Sequence, residues 1–224
     1  MEKSKTEHKL TEDGSSTLYA EKYQQHYHSI HGAVQESMHV FIQSGLDQMD
    51  SATPELRIFE MGFGTGLNAL LSILYTNHFN LHYTAIEAEP LPEEVIATLN
   101  YPECIEKNGA QEFFPKIHAA PWNEKVKIDP IFHLHKIEGK LEDFETEERF
   151  DLIYFDAFAP NAQPELWDEA IIQKMFTICR PGAIFVTYSA KSNVRRAMIA
   201  AGFEVEKIPG PPGKREMLRG RVPA

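Results

Sequence analysis

Hydrophobic and polar residues follow two different periods along the chain, and the pattern changes repeatedly from that of a strand to that of a helix. Leu56–Met61 is a short apolar run, and Leu67–Tyr75 after it has apolar residues at helical spacing. Further strands are predicted at Leu81–Glu87, Ile131–Ile137, Asp151–Asp156, Ala183–Tyr188, Phe203–Ile208 and Arg215–Val222. Further helices are predicted at Ser37–Leu46 (ending near Gly45), from Pro90 to Leu99, at Pro164–Cys179 and at Lys191–Ala201, with Tyr101–Trp122 irregular.

This alternation predicts one Rossmann-like α/β domain with a mostly parallel, seven-stranded sheet. Right-handed crossovers place helices against both faces of such a sheet. The last two predicted strands have no helix between them, only the turn-rich segment Pro209–Gly213, so they form an antiparallel hairpin. Such an ending is typical of class I methyltransferases rather than of dinucleotide dehydrogenases. Residues 1–55 are predicted to form an amino-terminal lid and substrate segment, and 56–224 the core.

Composition narrows the class of protein. The 224 residues are 42% hydrophobic and 25% charged, and no apolar run approaches the roughly 18 residues of a membrane span. The charged segment Met1–Ser16 lacks the apolar stretch of a signal peptide, which predicts a cytoplasmic protein. Cys104 and Cys179 lie far apart, so no disulfide framework is indicated.

The charge of the chain is unevenly distributed. The net charge is −11, which disfavours a polyanionic partner, yet the stretch from Lys191 onward has eight Lys and Arg against three Glu. This basic region either steers a phosphate-bearing substrate or is a solvated surface.

A glycine-rich turn follows the first predicted strand of the core. It reads Glu60-Met61-Gly62-Phe63-Gly64-Thr65-Gly66-Leu67-Asn68. The spacing is GxGxG, whereas a pyrophosphate-binding turn has GxGxxG. S-adenosylmethionine has no phosphate but carries an ammonium, for which Glu60 is the candidate partner; Glu87 is placed to accept both ribose hydroxyls. The predicted cofactor-binding residues are Glu60, Gly62, Phe63, Gly64, Gly66, Asn68 and Glu87.

Two other positions at strand ends carry candidate acids. Glu138 or Asp143 is the candidate for an adenine contact, with Lys140 at the place where an acid often stands. Asp156 ends another strand at the edge that faces the methyl donor. A carboxylate there can orient a neutral amine and help its proton leave, so Asp156 is the predicted catalytic residue; its alternative role is a helix cap.

Two sequence blocks resemble a known family. Asp156-Ala157-Phe158-Ala159-Pro160 with Pro164-Glu165-Leu166-Trp167, and Gly210–Arg219, resemble the MnmC-type methyltransferases that modify the tRNA wobble uridine. The resemblance extends to Asp13–Tyr19 and Tyr27–Ser29, with Gly32-Ala33, Glu36-Ser37 and His39-Val40-Phe41 after them, so it covers nearly the whole chain. It implies methyl transfer from S-adenosylmethionine to the primary amine of 5-aminomethyl(-2-thio)uridine. Some members have a fused flavin oxidoreductase domain; this chain resembles the stand-alone form, which implies that a separate enzyme supplies the amine.

Six residues are predicted to bind the acceptor, each with a purely structural alternative. Tyr27 and His28 stand in the lid segment and either contact the uridine or pack the amino-terminal arm. Phe158 and Trp167 either line the reaction pocket or belong to the core. Lys214 and Arg215 are candidate phosphate contacts, with Lys191, Arg195 and Arg196 as a second set. His26, His28 and His31 have no accompanying Cys or acid cluster, so no metal site is predicted.

Three alternative functions remain open on the sequence alone. One is a methyltransferase that acts on a small-molecule or protein amine, which the acidic net charge suits. Another is a non-catalytic S-adenosylmethionine-binding module that presents its basic hairpin to RNA. The third is an aminopropyltransferase, which uses a related fold and a decarboxylated form of the donor.

Overall fold

The amino-terminal segment forms a small antiparallel sheet of its own. The computed structural model describes residues 6–50, 53–76 and 79–224. Strands β1 (Thr6–Leu10), β2 (Ser16–Ala20) and β3 (Gln25–His26) pair in that order. The sequence pattern did not predict this sheet, because only β2 buries most of its side chains while those of β1 face solvent.

A second, larger sheet forms the centre of the fold. Its strands are β4 (Glu55–Met61), β5 (Asn80–Glu87), β6 (Lys125–Asp129), β7 (Phe132–Glu138), β8 (Phe150–Phe155), β9 (Cys179–Thr187), β10 (Glu204–Pro209) and β11 (Glu216–Arg221). Their order is β10-β11-β9-β8-β4-β5-β7-β6. The five strands from β9 to β7 in this order are parallel, and β10 and β11 form the predicted antiparallel hairpin. The predicted Rossmann-like fold is therefore confirmed.

The sheet has eight strands where the sequence predicted seven. The additional strand, β6, pairs antiparallel with β7 at the edge of the sheet, with an irregularity between Lys127 and Asp129. None of its five residues is fully buried, so its sequence lacks the apolar signal by which the other strands were recognised.

The chain adds successive strands first on one side of β4 and then on its other side, so the topological switch point lies beside β4. From β4 the chain proceeds to β5 and β7 on one side, and then returns to β8 and β9 on the other. The carboxyl ends of β4 and β8 therefore border the crevice in which sheets of this type bind ligands.

Helices cover both faces of the central sheet. They are α1 (Ala33–Ser37), α2 (Leu67–Tyr75), α3 (Glu93–Ile96), α4 (Tyr101–Cys104), α5 (Ala110–Ala119), α6 (Glu169–Thr177) and α7 (Ser192–Ala201). Along β4, Leu56 and Ile58 contact the core cluster that includes α2 and α5, whereas Phe59 and Met61 contact the cluster with α6 and α7. Alternate side chains of a strand point to opposite faces, so β4 contributes to both cores.

Several helices differ from their predicted bounds. The helix predicted at Ser37–Leu46 begins earlier, as α1, and continues as a π-helix over Met38–Gln43 before a 3-10 turn at Leu46–Gln48. The helix predicted between Pro90 and Leu99 is confined to the four residues of α3, since Pro90 and Pro92 precede it. The helix predicted at Pro164–Cys179 is divided into a 3-10 turn at Pro164–Trp167 and α6. The Asp168 side chain caps the start of α6, because it accepts a hydrogen bond from Ile171 N.

The segment Tyr101–Trp122, predicted to be irregular, contains α4 and α5. Helix α5 buries Ala110, Phe114 and Ile117 at helical spacing. Pro115 lies inside this helix and obscures its pattern in the sequence, because proline normally interrupts a helix.

Candidate active site

The glycine turn after β4 forms the floor of a cleft of about 1520 Å³ at the carboxyl edge of the sheet. Gly62 and Gly64 both have positive φ, 88° and 49°. A Cβ atom on Gly62 would stand 2.8 Å from the backbone oxygen of Asp156, so only glycine allows the ends of β4 and β8 to approach this closely. Of the predicted cofactor residues in this turn, Gly62, Phe63, Gly64 and Asn68 line the cleft, whereas Gly66 does not line it and caps the start of α2.

Glu87 ends β5 beside the glycine turn. Its Oε2 accepts a hydrogen bond from Gly64 N at 3.0 Å, and its Oε1 accepts one from Glu89 N at 2.9 Å. These two bonds fix the carboxylate in the wall of the cleft, where burial raises its pKa. Both oxygens keep further lone pairs for a hydroxyl donor.

Glu60 lies beneath the cleft instead of lining it. The residue is 0% exposed, and burial raises its pKa well above the usual value. Its Oε1 accepts a hydrogen bond at 2.9 Å from the side chain of Asn68, which does line the cleft. Among the described residues, nothing is bonded to Glu60 Oε2 or to Asn68 Oδ1, so two buried oxygens here lack a donor.

Asp156 follows β8 and faces the glycine turn across the crevice. Its Oδ2 accepts a hydrogen bond from Asn68 Nδ2 at 2.9 Å. Burial, with a contribution from the negative charge of Glu36, raises the pKa of the Asp156 carboxyl to about 7, although Asn68 and Lys214 act against this shift. At neutral pH this carboxyl therefore exchanges a proton readily, as a general base must.

The segment between β2 and α1 covers the cleft. The Tyr23 ring stacks on Phe158 with centroids 4.4 Å apart, and Tyr27 meets the same ring edge-on at 5.0 Å. Lys22 forms an ion pair with Glu89 on one side of the cleft. On the other side, Gln25 Oε1 accepts a hydrogen bond from Ala159 N at 3.1 Å. The segment thus bridges the ends of β5 and β8, and Tyr27 lines the cleft.

His28 supports the glycine turn from the lid segment. The residue is buried, and its Nε2 lies 2.8 Å from Thr65 Oγ1. Burial lowers the pKa of its imidazole to about 4, so the ring is neutral at physiological pH. Its ring nitrogen contacts Thr65, and the residue also lines the cleft, so the contact with the turn does not decide between the two roles considered for it.

Phe158 and Trp167 have different positions. Phe158 lines the cleft and contacts Tyr23 and Tyr27. Trp167 is only 3% exposed and packs on Phe155 in the core. Its Nε1 donates a hydrogen bond to the backbone oxygen of Phe158 at 2.8 Å, so Trp167 holds the wall from behind rather than forming it.

Lys214 and Arg215 also differ in their positions relative to the cleft. Lys214 lines the cleft, where its Nζ lies 2.8 Å from Glu36 Oε1 and 4.0 Å from the ring centre of Tyr188. Arg215 is exposed outside the cleft. The cation of Lys214 is paired with Glu36 inside the cleft, so only Arg215 of the two predicted phosphate contacts lies on the outer surface. Sequence reasoning gave no role to Glu36, which entered only within the family resemblance, and none to Tyr188, which belongs to no motif.

The two acids considered for an adenine contact, Glu138 and Asp143, differ in whether they line the main cleft. Glu138 and Lys140 line the main cleft, together with Glu142, whereas Asp143 lines a neighbouring groove. Glu138 is thus the better placed of the two predicted acids.

Two other findings concern the described part of the chain. It contains no group of three or more His, Cys, Asp or Glu side chains arranged to hold a metal ion. Within it, too, no helix has the length and apolar character required to cross a bilayer.

Comparison with known proteins identifies relatives of the whole chain. It is 30% identical over 223 residues to the tRNA 5-methylaminomethyl-2-thiouridine biosynthesis bifunctional protein MnmC of Leptospira borgpetersenii, covering 92% of this chain and 33% of that protein. It is 31% identical to the protein of the same name from Actinobacillus pleuropneumoniae, covering 96% of this chain and 35% of that one. The chain therefore spans about a third of the length of these curated relatives.

A solved structure shares the fold throughout. MnmC2 from Aquifex aeolicus superposes with a TM-score of 0.82 at 25% identity, covering 100% of this chain and 73% of that one. The sequence model of a family described as S-adenosyl-L-methionine-dependent methyltransferases matches residues 110–223, about half of the chain, and includes Asp156 and Lys214. This chain belongs to that S-adenosyl-L-methionine-dependent methyltransferase family.

Proposed function

We propose that this protein transfers a methyl group from S-adenosylmethionine to the primary amine of 5-aminomethyl(-2-thio)uridine at the wobble position of tRNA. The observation that carries the proposal is the position of Asp156, a carboxyl with a pKa of about 7 that borders the glycine turn in the covered cleft. The names of the MnmC relatives supply the nucleoside and the tRNA.

The residues of the cleft fit S-adenosylmethionine. Gly62 and Gly64 leave room for a ligand beside the backbone, and the Glu87 carboxylate suits a pair of ribose hydroxyls. The unpartnered Asn68 Oδ1, with Glu60 behind it, suits the ammonium of the amino-acid part. Glu138 stands where the adenine is expected. When bound, the cofactor supplies an activated methyl group on a sulfonium.

The acceptor side of the cleft suits an amine attached to an aromatic base. Tyr27 and Phe158 offer rings against which the base can stack, and Asp156 offers a carboxylate for the amine. An ammonium has no lone pair, so the amine must lose a proton before it attacks. Asp156 orients the nitrogen and takes up the proton, while the rigid contacts of the cleft align the two substrates.

Cations outside the cleft suit the backbone of an RNA. Arg215 is exposed on the hairpin, and Lys191 and Arg196 are exposed at and within α7, which follows the carboxyl end of β9. We assign phosphate contacts to these residues. A tRNA substrate also implies a cytoplasmic location.

We propose one methyltransferase domain, in which residues 1–55 act as lid and substrate segment and 56–224 as the catalytic core; residues 1–5, 51–52 and 77–78 lie outside the described part. Because the reaction consumes a primary amine, we propose that a separate enzyme supplies the aminomethyl nucleoside.

The test is a competition between possible acceptors. Purified protein receives labelled S-adenosylmethionine with tRNA that carries 5-aminomethyluridine, with the same tRNA lacking the aminomethyl group, and with the free nucleoside. We expect label only in the first tRNA, and a rate that falls as salt increases, because phosphate contacts are screened. Equal or faster methylation of the free nucleoside would contradict the proposal and favour an enzyme of small amines.

A further inference from the structure

An ion pair crosses the acceptor side of the cleft, and the two residues that form it are far apart in the sequence. Glu36 belongs to α1, next to the lid, and Lys214 to the loop between β10 and β11. Their charged atoms are 2.8 Å apart, and both residues line the cleft. Glu36 is only 8% exposed, and its other oxygen accepts a hydrogen bond from Ser29 N at 2.7 Å. The pair therefore joins the lid segment to the carboxy-terminal hairpin.

Contacts of Lys214 connect this pair to the carboxyl end of β8, where Asp156 lies. Its Nζ lies 4.0 Å from the ring centre of Tyr188, and the Tyr188 hydroxyl donates a hydrogen bond to the backbone oxygen of Ala157 at 2.8 Å. Ala157 is the residue directly after Asp156. A positive and a negative charge thus stand together in the cleft that Asp156 lines, connected through Tyr188 to the residue after it.

We propose that Glu36 and Lys214 are positioning residues of opposite charge, which together set the electrostatic potential at Asp156 and so the ability of its carboxylate to receive the acceptor amine. The inference rests on the proposed function for the identity of the acceptor, but not for the effect on Asp156. Neither residue needs to touch the reacting atoms. Removing one partner should leave the other charge unbalanced in a largely buried site, where electrostatic effects are strong.

The charges around Asp156 support this assignment. Glu36 raises the pKa of Asp156, and Lys214 lowers it. The titratable groups that face Asp156 from the surrounding elements are Glu36, Glu60, Tyr83, Tyr101, Tyr188 and Lys214. Tyrosine is neutral at physiological pH, and burial favours the neutral form of Glu60 as well. Glu36 and Lys214 are consequently the members of this set whose charges dominate.

Substitution of the two partners distinguishes this role from that of a structural ion pair. Both Glu36→Gln and Lys214→Met break the pair and should weaken the contact between lid and hairpin to a similar degree. Their effects on Asp156 should have opposite signs. Loss of the negative charge in Glu36→Gln lowers the pKa of Asp156, and loss of the positive charge in Lys214→Met raises it.

The experiment measures the titration of Asp156 directly. The protein is labelled with ¹³C at aspartate carboxyl groups, the Asp156 signal is assigned from its absence in Asp156→Asn, and the pH is varied without any acceptor. We expect shifts of about half a pH unit or more, downward in Glu36→Gln and upward in Lys214→Met, and a midpoint near the wild-type value in the double variant. The acidic limb of kcat/KM for methyl transfer should move in the same directions.

Matched controls come from the same hairpin. Lys207 and Glu216 form an ion pair of 2.7 Å on its surface, and neither residue lines the cleft. Lys207→Met and Glu216→Gln should leave the Asp156 midpoint unchanged. Shifts of the same sign in the two test variants, or no shift in either, would overturn the proposal. Lys214→Met decides the question alone if Glu36→Gln does not fold, since an upward shift is required of it. Because this titration needs no tRNA, it remains decisive even if the acceptor proves to be a different amine.

Discussion

The side-chain nitrogen of Asn68 lies 2.9 Å from Asp156 Oδ2, which links the first turn of α2 to the carboxyl end of β8. The same nitrogen lies 2.9 Å from Glu60 Oε1. The amide of Asn68 therefore donates hydrogen bonds to two carboxyl groups, one of Glu60 and one of Asp156. A hydrogen bond to the charged form of a carboxyl lowers its pKa, so Asn68 keeps Asp156 ionised at a lower pH than burial alone would allow.

Replacing Asn68 with Leu should therefore reduce activity most at low pH. We expect the acidic limb of kcat/KM to move upward, with a loss of roughly tenfold or more at pH 7 and a smaller loss at pH 9, because a bond to a charged group contributes about 1.5–3 kcal/mol. Ser72→Ala, on the same helix and equally buried, is the control and should not move the limb. The assay uses saturating S-adenosylmethionine, because weaker cofactor binding alone would lower activity at every pH; an acidic limb that does not move would argue against this role.

Asp156→Asn should stabilise the folded protein while it abolishes methyl transfer. The native pKa of Asp156 is about 7, above the ~3.9 of an unfolded aspartate. The native state therefore binds the proton more tightly, and wild-type stability declines as pH rises from about 4 to 7. The amide of Asn does not titrate. We expect the Tm of Asp156→Asn to exceed that of the wild type increasingly over this interval; a constant difference would show that the native pKa is not raised.

Glu87→Gln should weaken the binding of S-adenosylmethionine and leave the binding of the acceptor unchanged. The variant loses the negative charge that is held by Gly64 N and Glu89 N at the ribose position. Calorimetry should give a Kd for S-adenosylmethionine about ten to a hundred times higher, which corresponds to the ~1.5–3 kcal/mol of a charged hydrogen bond. Glu94→Gln, exposed on the nearby α3, is the control. An unchanged Kd in Glu87→Gln would remove Glu87 from the cofactor site.

Lys136 should make the stability of the protein depend on pH in the alkaline range. The side chain is 1% exposed on β7, its Nζ donates to the backbone oxygen of His118 at 2.9 Å, and burial lowers its pKa to about 8. The unfolded pKa is about 10.4, so the native state releases this proton first and stability rises between about pH 8 and 10. In thermal denaturation, the wild type should gain Tm relative to Lys136→Met across this window, and parallel curves would contradict the prediction.

The sequence was sufficient where the signal is local. Three features of the site lie within a few residues of an apolar strand: the glycine turn with an acid at the end of β4, Glu87 at the end of β5, and Asp156 after β8. The carboxyl ends of neighbouring parallel strands lie at the same edge of a sheet, so these features are expected to come together. For this reason the fold class and the centre of the cleft were predictable from the sequence.

Contacts between distant segments were not predictable in this way. Glu36 and Lys214 come together only because α1 and the carboxy-terminal hairpin pack at the same edge of the cleft. Likewise, Trp167 looks like a pocket residue in the sequence, but the 3-10 turn that carries it directs the ring into the core. Neither feature has a sequence period or spacing that reveals it.

In the proposed reaction, Asp156 serves methyl transfer to an aminomethyl group on tRNA. The most direct measurement is nucleoside mass spectrometry of tRNA that carries 5-aminomethyl(-2-thio)uridine, after incubation with S-adenosylmethionine and either the wild type or Asp156→Asn. We predict that the wild type converts this nucleoside to its methylaminomethyl derivative, and that the variant binds S-adenosylmethionine but leaves the nucleoside unchanged. An unmodified nucleoside after incubation with folded, cofactor-bound wild type, or full conversion by Asp156→Asn, would contradict the account.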